Sequence, residues 1–144
     1  MILFHGTCVL VGDTGVLLRG PSGCGKSDLA LRLVAEGARL VADDQVEIAR
    51  DGDVLLARPP ATIAGLIEVR GIGIVPMAPA SPARVGLLID LVAPDAVDRL
   101  PEDLTEEIAG LRLRRFALYP WECSATAKVR LAVQVATGTI MLTS

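Results

Sequence analysis

A phosphate-binding loop is the sequence feature that most constrains this chain. The loop consists of Gly20, Pro21, Ser22, Gly23, Cys24, Gly25, Lys26 and Ser27. It fits the pattern G-x-x-x-x-G-K-[ST] at every fixed position, with an apolar run at residues 16–18 before it and helix-forming residues 28–36 after it. Backbone N–H groups of such a loop surround an anion at the N-terminus of a helix. The loop therefore predicts binding of a nucleoside triphosphate or a related polyphosphate, with Lys26 on the phosphates and Ser27 on Mg²⁺.

The composition predicts one domain that spans residues 1–144. Apolar residues make up 51% of the chain but aromatic residues only 3%, so we expect a core of aliphatic side chains, as in helices packed on a buried sheet. The formal net charge of −3 argues against nucleic acid as a partner. No apolar run reaches the roughly 18 residues of a membrane span, which argues against a membrane location.

The three cysteines predict the redox environment. Cys8, Cys24 and Cys123 are odd in number, widely spaced and without a C-x-x-C pair. This pattern indicates reduced thiols in the cytoplasm rather than a zinc site or a disulfide framework. Within the phosphate loop, Cys24 is better explained as a small filler than as an oxidisable thiol.

Hydrophobic periodicity and turn residues predict the secondary structure. Helices are expected at residues 26–36 and 125–136, and strands at residues 8–11, 16–19, 39–42, 46–49, 54–57, 85–92 and 110–118. Residues 66–75 are expected to form a strand that passes into a loop, Pro76, Pro79 and Pro82 to mark a surface connection, and residues 94–107 to be rich in turns. Hairpins mixed with a single βαβ start predict an α/β fold, a P-loop domain with a mixed sheet and few helices.

A phosphate loop needs a nearby carboxylate, and two places in the chain supply one. Asp43 and Asp44 follow the predicted strand at residues 39–42, and Asp90 closes a second apolar run. Adjacent carboxylates at a strand end repel each other unless a cation or a partner relieves them, a cost that a purely structural role does not explain. We therefore prefer the Asp43–Asp44 pair, with Asp90 as the alternative.

Two blocks of the chain resemble the HPr kinase/phosphorylases, bacterial enzymes that phosphorylate a serine of the phosphocarrier HPr. The first block comprises His5-Gly6, residues 15–18, the phosphate loop, Ala30-Leu31, residues 39–44 and Val46-Glu47. The second block, residues 67–74, reads Ile-Glu-Val-Arg-Gly-Ile-Gly-Ile and looks like the family's signature segment E-[IV]-R-G-[LI]-G-I. Together they cover residues 5–74 and are much more specific than the loop alone. The resemblance implies a fold like the C-terminal domain of these kinases.

The resemblance also implies how ATP and Mg²⁺ would be held. Lys26 and the loop would hold the phosphates of ATP, and Ser27 and Glu68 would hold Mg²⁺. Arg70 would meet the charge that develops on the transferred phosphoryl group. Arg99 lies in a segment that looks like the one carrying a further catalytic arginine in the family. An exposed arginine in a polar turn is an equally good explanation of Arg99.

The same resemblance assigns the acid–base chemistry. Asp44 would accept the proton of the attacking serine hydroxyl, with Asp43 and His5 close by. By itself, a lone histidine such as His5 is more readily explained as a structural residue than as a catalytic one. The family places a histidine beside this aspartate, so the resemblance reverses that preference.

The chain departs from the family's pattern in three respects. We expect the usual N-terminal domain to be absent and the C-terminal helix that helps grip the substrate to be short or missing. Residues 119–126 occupy the place of a Pro- and Arg-rich loop that is associated with removing phosphate from phosphoserine. Kinase activity is therefore expected, whereas phosphorylase activity is in doubt. Because the family forms hexamers, a homo-oligomer is a further expectation.

Three functions are compatible with the sequence. The first is a protein-serine kinase that acts on an HPr-type phosphocarrier with ATP and Mg²⁺. The second is a catalytically inactive, nucleotide-sensing module of the phosphotransferase system, which the altered loop favours and the intact acidic residues disfavour. The third is a small-molecule P-loop kinase, which would need a lid that the proline-rich residues 76–82 do not favour.

Overall fold

A mixed β-sheet forms the frame of the molecule, whose computed structural model describes residues 1–78 and 80–143. The helices are α1 (Lys26–Ala35) and α2 (Ala125–Ala136). The strands are β1 (Ile2–His5), β2 (Thr7–Val11), β3 (Thr14–Arg19), β4 (Arg39–Ala42), β5 (Gln45–Asp51), β6 (Val54–Arg58), β7 (Leu66–Val69), β8 (Gly73–Pro76), β9 (Ala83–Leu91), β10 (Leu104–Ile108) and β11 (Leu111–Leu118). Among the described residues, nine strands join one sheet, while β7 and β8 pair separately. Pro79, which we expected in a surface connection, lies outside the described residues.

Three parallel strands form the part of the sheet that carries the loop. β3 pairs with one edge of β9 and β11 with the other, both in parallel. β2 and β4 extend the sheet beyond β3, and β5 and β6 connect β1 to the start of β9, all by antiparallel pairing. The segments that follow β3, β9 and β11 therefore leave the sheet at the same edge. In open α/β sheets, ligands bind outside these carboxyl ends.

Alternating side chains of the central strands bury two apolar cores. Val16 and Leu18 of β3 belong to the core that the helices cover, whereas Leu17 belongs to the core on the opposite face. Leu29 and Leu33 lie one turn apart on α1 and are fully buried against the sheet. This packing fixes α1, and with it the phosphate loop, relative to β3.

The structure confirms the predicted fold class, a P-loop α/β domain with a mixed sheet and few helices. α2 has the predicted bounds despite its β-branched residues, because Val129 and Val133 are buried against the sheet and their packing outweighs a weak helix propensity. Ser124 stands at the N-cap of α2, but its side chain makes no capping hydrogen bond to any residue that the structure describes.

Three strand predictions need correction. Residues 66–75 do not pass from a strand into a loop but form the β7–β8 hairpin, because Gly71 and Gly73 adopt φ values of 88° and 131° and turn the chain back. β10 lies within the segment expected to be rich in turns, where Glu107 pairs with Arg112 across the ladder. β1 was not predicted and pairs with β5.

The structure also shows the state of the cysteines and the character of the helices. Cys8, Cys24 and Cys123 carry free thiols. Burial raises the pKa of Cys8 to about 12, so this thiol stays protonated at neutral pH. Of the helices that the structure describes, none has both the length and the apolar character needed to cross a membrane.

Candidate active site

The phosphate loop connects β3 to α1 at the carboxyl edge of the parallel strands. The N–H of Cys24 donates a hydrogen bond to the carbonyl oxygen of Pro21 at 3.1 Å and closes the turn. Gly23 and Gly25 have φ values of 81° and 109°, in the left-handed region that favours glycine. Successive N–H groups in such a turn form a concave cradle for an anion. The positive φ thus explains Gly25 of the pattern, whereas at Gly20 an added Cβ atom would lie 2.5 Å from the Sγ atom of Cys24.

Lys26 begins α1 and its ammonium group folds over the start of the loop. Its Nζ donates to the carbonyl oxygens of Gly20 at 2.7 Å and Pro21 at 3.1 Å. Within the described residues, no carboxylate forms an ion pair with this ammonium. A phosphate would make a stronger, charge-assisted hydrogen bond with Nζ than these neutral carbonyls do. The Lys26 ammonium is therefore available to a polyphosphate.

Asp43 joins the turn between β4 and β5 to the first turn of α1. The hydroxyl of Ser27 donates to Asp43 Oδ1 at 2.8 Å, and the hydroxyl of Thr7 donates to the same oxygen at 3.0 Å. Thr7 is fully buried in β2, so the sheet holds this donor in place. The carboxylate of Asp43 is thereby fixed beside the Ser27 hydroxyl.

Asp44 occupies the second position of the β4–β5 turn in an unusual conformation. Its φ is 69°, which aspartate and asparagine tolerate better than other side chains do. The N–H of Gly6 donates to the carbonyl oxygen of Asp44 at 3.0 Å, and the N–H of Asp44 lies 3.4 Å from the Thr7 hydroxyl. His5 pairs with Gln45, the residue after Asp44, so β1 brings the histidine next to the acidic turn.

Asp90, the alternative carboxylate, lies in a network of ion pairs. Arg19 Nε lies 2.6 Å from Asp90 Oδ1, and Arg19 also pairs with Glu106 of β10. Arg115 Nη1 lies 3.2 Å from Glu106 Oε1. Hydrogen bonding to Arg19 lowers the pKa of Glu106, and hydrogen bonding to Glu106 and Asp90 raises the pKa of Arg19. The arginines compensate the charge of Asp90, which favours the Asp43–Asp44 pair as the reactive acids.

The other three predicted site residues lie on exposed segments. Glu68 lies on β7, which packs against α1. Arg70 lies in the β7–β8 turn and Arg99 in the segment that follows β9. The hydrogen bonds described for Lys26 and for the acidic turn include none of these three side chains. The roles implied for Glu68, Arg70 and Arg99 therefore stay predictions.

The oxygen donors beside the loop suit ATP with Mg²⁺. Among residues 1–78 and 80–143, no group of three or more His, Cys, Asp or Glu side chains lies close enough together to hold a metal ion. Mg²⁺ in nucleotide sites takes one or two protein oxygens and completes its shell with phosphates and water. The Ser27 hydroxyl and the adjacent Asp43 carboxylate are oxygen ligands of this kind.

Two residues near the loop were not identified from the sequence. Thr7 holds Asp43, but a threonine in a short apolar run gives no signal of such a contact. Trp121 packs on the loop, since a Cβ atom on Gly25 would lie 2.9 Å from its Cζ2 atom. A single tryptophan between Pro120 and Glu122 draws attention only once its neighbour in space is known.

Comparisons with known proteins identify the family of the chain. The family model described as "HPr Serine kinase C-terminal domain" matches residues 1–118. The HPr kinase/phosphorylase of Bordetella pertussis is 38% identical over 126 residues, covering 79% of this chain and 41% of that protein. The HPr kinase/phosphorylase of an Exiguobacterium species is 44% identical over 104 residues, covering 67% and 33%. The chain thus spans well under half the length of these curated relatives.

A solved structure shows the same fold. The structure of the Hpr(Ser) kinase/phosphatase from Coxiella burnetii superposes with a TM-score of 0.85 at 25% sequence identity. The match covers 96% of this chain and 98% of that chain. With a family model matching residues 1–118, the chain belongs to the HPr serine kinase C-terminal domain family.

Proposed function

We propose that this chain is an ATP- and Mg²⁺-dependent protein kinase that phosphorylates a serine of an HPr-type phosphocarrier in the cytoplasm. The observation that carries the proposal is the acidic turn beside the loop, where Ser27 donates to Asp43 and Asp44 follows directly. A nucleotide-binding module without catalysis would need the loop but not this pair of acids. Phosphorylase activity is not part of the proposal, and a homo-oligomer stays an expectation.

The phosphate loop would hold the triphosphate by charge and by backbone N–H groups. The Lys26 ammonium exchanges its carbonyl partners on Gly20 and Pro21 for phosphate oxygens, which are stronger acceptors. The cradle shaped by Gly23 and Gly25 supplies N–H donors at the start of α1. Phosphoryl transfer depends mostly on positioning and charge neutralisation, which these groups provide.

The metal would be held by oxygen ligands next to the same loop. Mg²⁺, when bound, neutralises charge on the phosphates during transfer. The Ser27 hydroxyl would be a direct ligand, and its hydrogen bond with Asp43 would orient it. Glu68 on β7 would supply a second protein oxygen, as the family resemblance implies.

Asp44 would act as the base in the transfer step. The serine oxygen of the acceptor forms a bond to the γ-phosphorus, the bond from that phosphorus to the β–γ bridging oxygen breaks, and its electron pair leaves with ADP. The proton of the serine hydroxyl passes to the Asp44 carboxylate, beside which His5 lies in the sheet. Exposed Arg70 and Arg99 are the cations proposed to meet charge on the transferred group.

A binding and transfer experiment tests the proposal. Wild-type chain is titrated with ATP and Mg²⁺ by calorimetry, and then incubated with ATP, Mg²⁺ and HPr, with the intact mass of HPr as readout. We expect binding and the addition of one phosphate, lost when the HPr serine is changed to alanine. Lys26→Ala should weaken ATP binding at least tenfold, whereas Arg112→Ala, an exposed cation on β11, should leave it unchanged.

The outcomes separate the alternatives. ATP binding without transfer would replace the kinase with the nucleotide-sensing module. Unchanged ATP affinity in Lys26→Ala would remove the loop from the site. Transfer to a small metabolite instead of HPr would indicate the small-molecule kinase that the phosphate loop also permits.

A further inference from the structure

Trp121 lies on the phosphate loop with much of its ring exposed. A Cβ atom on Gly25 would lie 2.9 Å from Cζ2 and 3.1 Å from Cε2 of Trp121, so the indole packs directly on the Gly25 backbone. The residue is nevertheless 52% exposed. An exposed indole beside a polyphosphate cradle is a flat apolar surface that a ligand can cover.

The first turns of α1 hold this indole in place. Arg32 donates from Nη2 to the carbonyl oxygen of Pro120 at 2.6 Å, which fixes the backbone just before Trp121. The Arg32 guanidinium carbon also lies 5.8 Å from the centroid of the indole ring, within the range of a cation–π contact. Arg32 Nε in turn pairs with Asp28 at 2.7 Å. The ring orientation is therefore set before any ligand binds.

A groove runs along the side of α1 beside Trp121. Its volume is about 450 Å³, and small-molecule sites commonly measure about 300–1,000 Å³. Its lining includes Asp28 and Arg32 of α1, Glu36 directly after α1, and Trp121, Glu122 and Thr126 from the opposite side. Glu36 pairs with Arg130 and Glu122 with Lys128, but a carboxylate has about four acceptor sites, so each can still accept a hydrogen bond from an exocyclic amino group. The N–H groups of Arg32 that remain free of the contacts above can donate to ring nitrogens. Exocyclic amino groups and ring nitrogens are the polar groups on the edge of a purine base.

One end of the groove lies beside the phosphate loop. The segment with Trp121 follows β11, and the phosphate loop follows β3, both at the carboxyl edge of the parallel strands. Asp28, which comes directly after Ser27, lines the groove together with Trp121, and Trp121 itself packs on Gly25 of the loop. A nucleotide with its phosphates in the cradle therefore has its base within reach of Trp121.

We propose that Trp121 is the platform on which the purine base of the nucleoside triphosphate stacks, with the groove beside α1 receiving the edge of the base. This inference rests on the proposed function, because it concerns the same nucleotide. It adds a determinant of base selectivity that lies outside the phosphate loop.

The experiment compares ATP with tripolyphosphate, which has the phosphates but no base. Both are titrated by calorimetry with Mg²⁺ into the full chain and into Trp121→Ala, Trp121→Phe and Leu131→Ala. Leu131 is also 52% exposed, but on α2 away from the groove lining, and serves as the matched control. We expect Trp121→Ala to weaken ATP binding about 5- to 150-fold, Trp121→Phe much less, and tripolyphosphate binding to stay the same.

Because Trp121 is the only tryptophan, the wild-type chain gives a second readout. ATP is expected to quench or shift its fluorescence, and tripolyphosphate to change it much less. Base stacking would be overturned, with nucleotide binding left intact, if Trp121→Ala lost the same affinity for ATP and for tripolyphosphate or lost affinity for neither. Equal fluorescence responses of the wild-type chain to the two compounds would overturn it as well. Wild-type chain that binds neither compound would instead overturn the proposed function, and the inference with it.

Discussion

Two acidic sites near the carboxyl edge of the sheet contain the same kind of side chain in opposite surroundings. Beside the loop, Asp43 accepts hydrogen bonds from Ser27 and Thr7, and the ion pairs of the described residues do not include it. Asp90 lies on β9, which β3 and β2 separate from β4, and is held by Arg19 at 2.6 Å. The first carboxylate thus has neutral hydroxyl donors as its described partners, whereas two arginines compensate the charge of the second. The partners of a carboxylate, more than its sequence context, thus distinguish a candidate catalytic acid from a structural one.

The largest effect is expected from Asp44→Asn at the first site. Asparagine tolerates the φ of 69° as well as aspartate does, so the fold should be kept while the proton acceptor is lost. We expect phosphoryl transfer to HPr to fall about 10²- to 10⁴-fold, with ATP affinity within about threefold of wild type. Rates come from intact-mass time courses. Asp53→Asn, in the exposed β5–β6 turn, is the control. An Asp44→Asn enzyme with full activity would rule out Asp44 as the base.

The second site should affect stability instead of transfer. Arg19→Met leaves Asp90 and Glu106 with Arg115 as their remaining partner, and an undercompensated half-buried carboxylate costs about 1–3 kcal/mol. Urea unfolding measures this change. Arg58→Met breaks the more exposed pair with Glu47 and should cost less than about 1 kcal/mol. If both variants lose the same small amount of unfolding free energy, the network around Asp90 stabilises the fold no more than a surface ion pair does.

A smaller effect is expected from Thr7→Val. The valine fills the same buried space, but Asp43 loses one of its two hydroxyl donors. We expect the transfer rate to fall about fivefold, the equivalent of one hydrogen bond of about 1 kcal/mol. Thr7→Ser, which keeps the hydroxyl, should restore most of the rate. A serine variant as slow as the valine variant would assign the effect to packing.

The smallest effect is a pH dependence at the second site. Arg19 lowers the pKa of Glu106 in the folded state below its ordinary value of about 4.5. The unfolded chain therefore binds this proton more readily, so the stabilisation is complete above about pH 4.5 and is lost as the pH falls through the lowered pKa. The difference in unfolding free energy between wild type and Glu106→Gln should shrink over that range. A difference that is constant from pH 6 to pH 3 would contradict this assignment.

The sequence was sufficient to predict the elements whose signals are local. The bounds of α2 and the strand–loop–helix unit around Lys26 follow from periodicity and glycine placement. β1 and β10 were missed because their evidence is non-local: β1 pairs with residues 45–48, and the acidic β10 becomes a strand opposite the basic side chains of β11. Short strands on an edge carry little signal of their own.

The residues of the candidate site also divide into those that a local pattern predicts and those that it does not. The loop and the Asp43–Asp44 pair were predicted because a motif and an unexplained cluster of charge are visible in the sequence. The contact from Thr7 to Asp43 joins residues 36 positions apart, and that of Trp121 with Gly25 depends on where two strands end. Such contacts follow from the topology and not from any local pattern.

The most direct test of the contrast between the two acidic sites compares Asp44→Asn with Asp90→Asn. Both variants are assayed side by side for phosphoryl transfer to HPr at saturating ATP and Mg²⁺. Both substitutions remove one carboxylate charge and keep the size of the side chain. We predict that Asp90→Asn transfers phosphate at close to the wild-type rate while Asp44→Asn is almost inactive. An active Asp44→Asn beside an inactive Asp90→Asn would contradict the account and move the chemistry to the arginine-bound site.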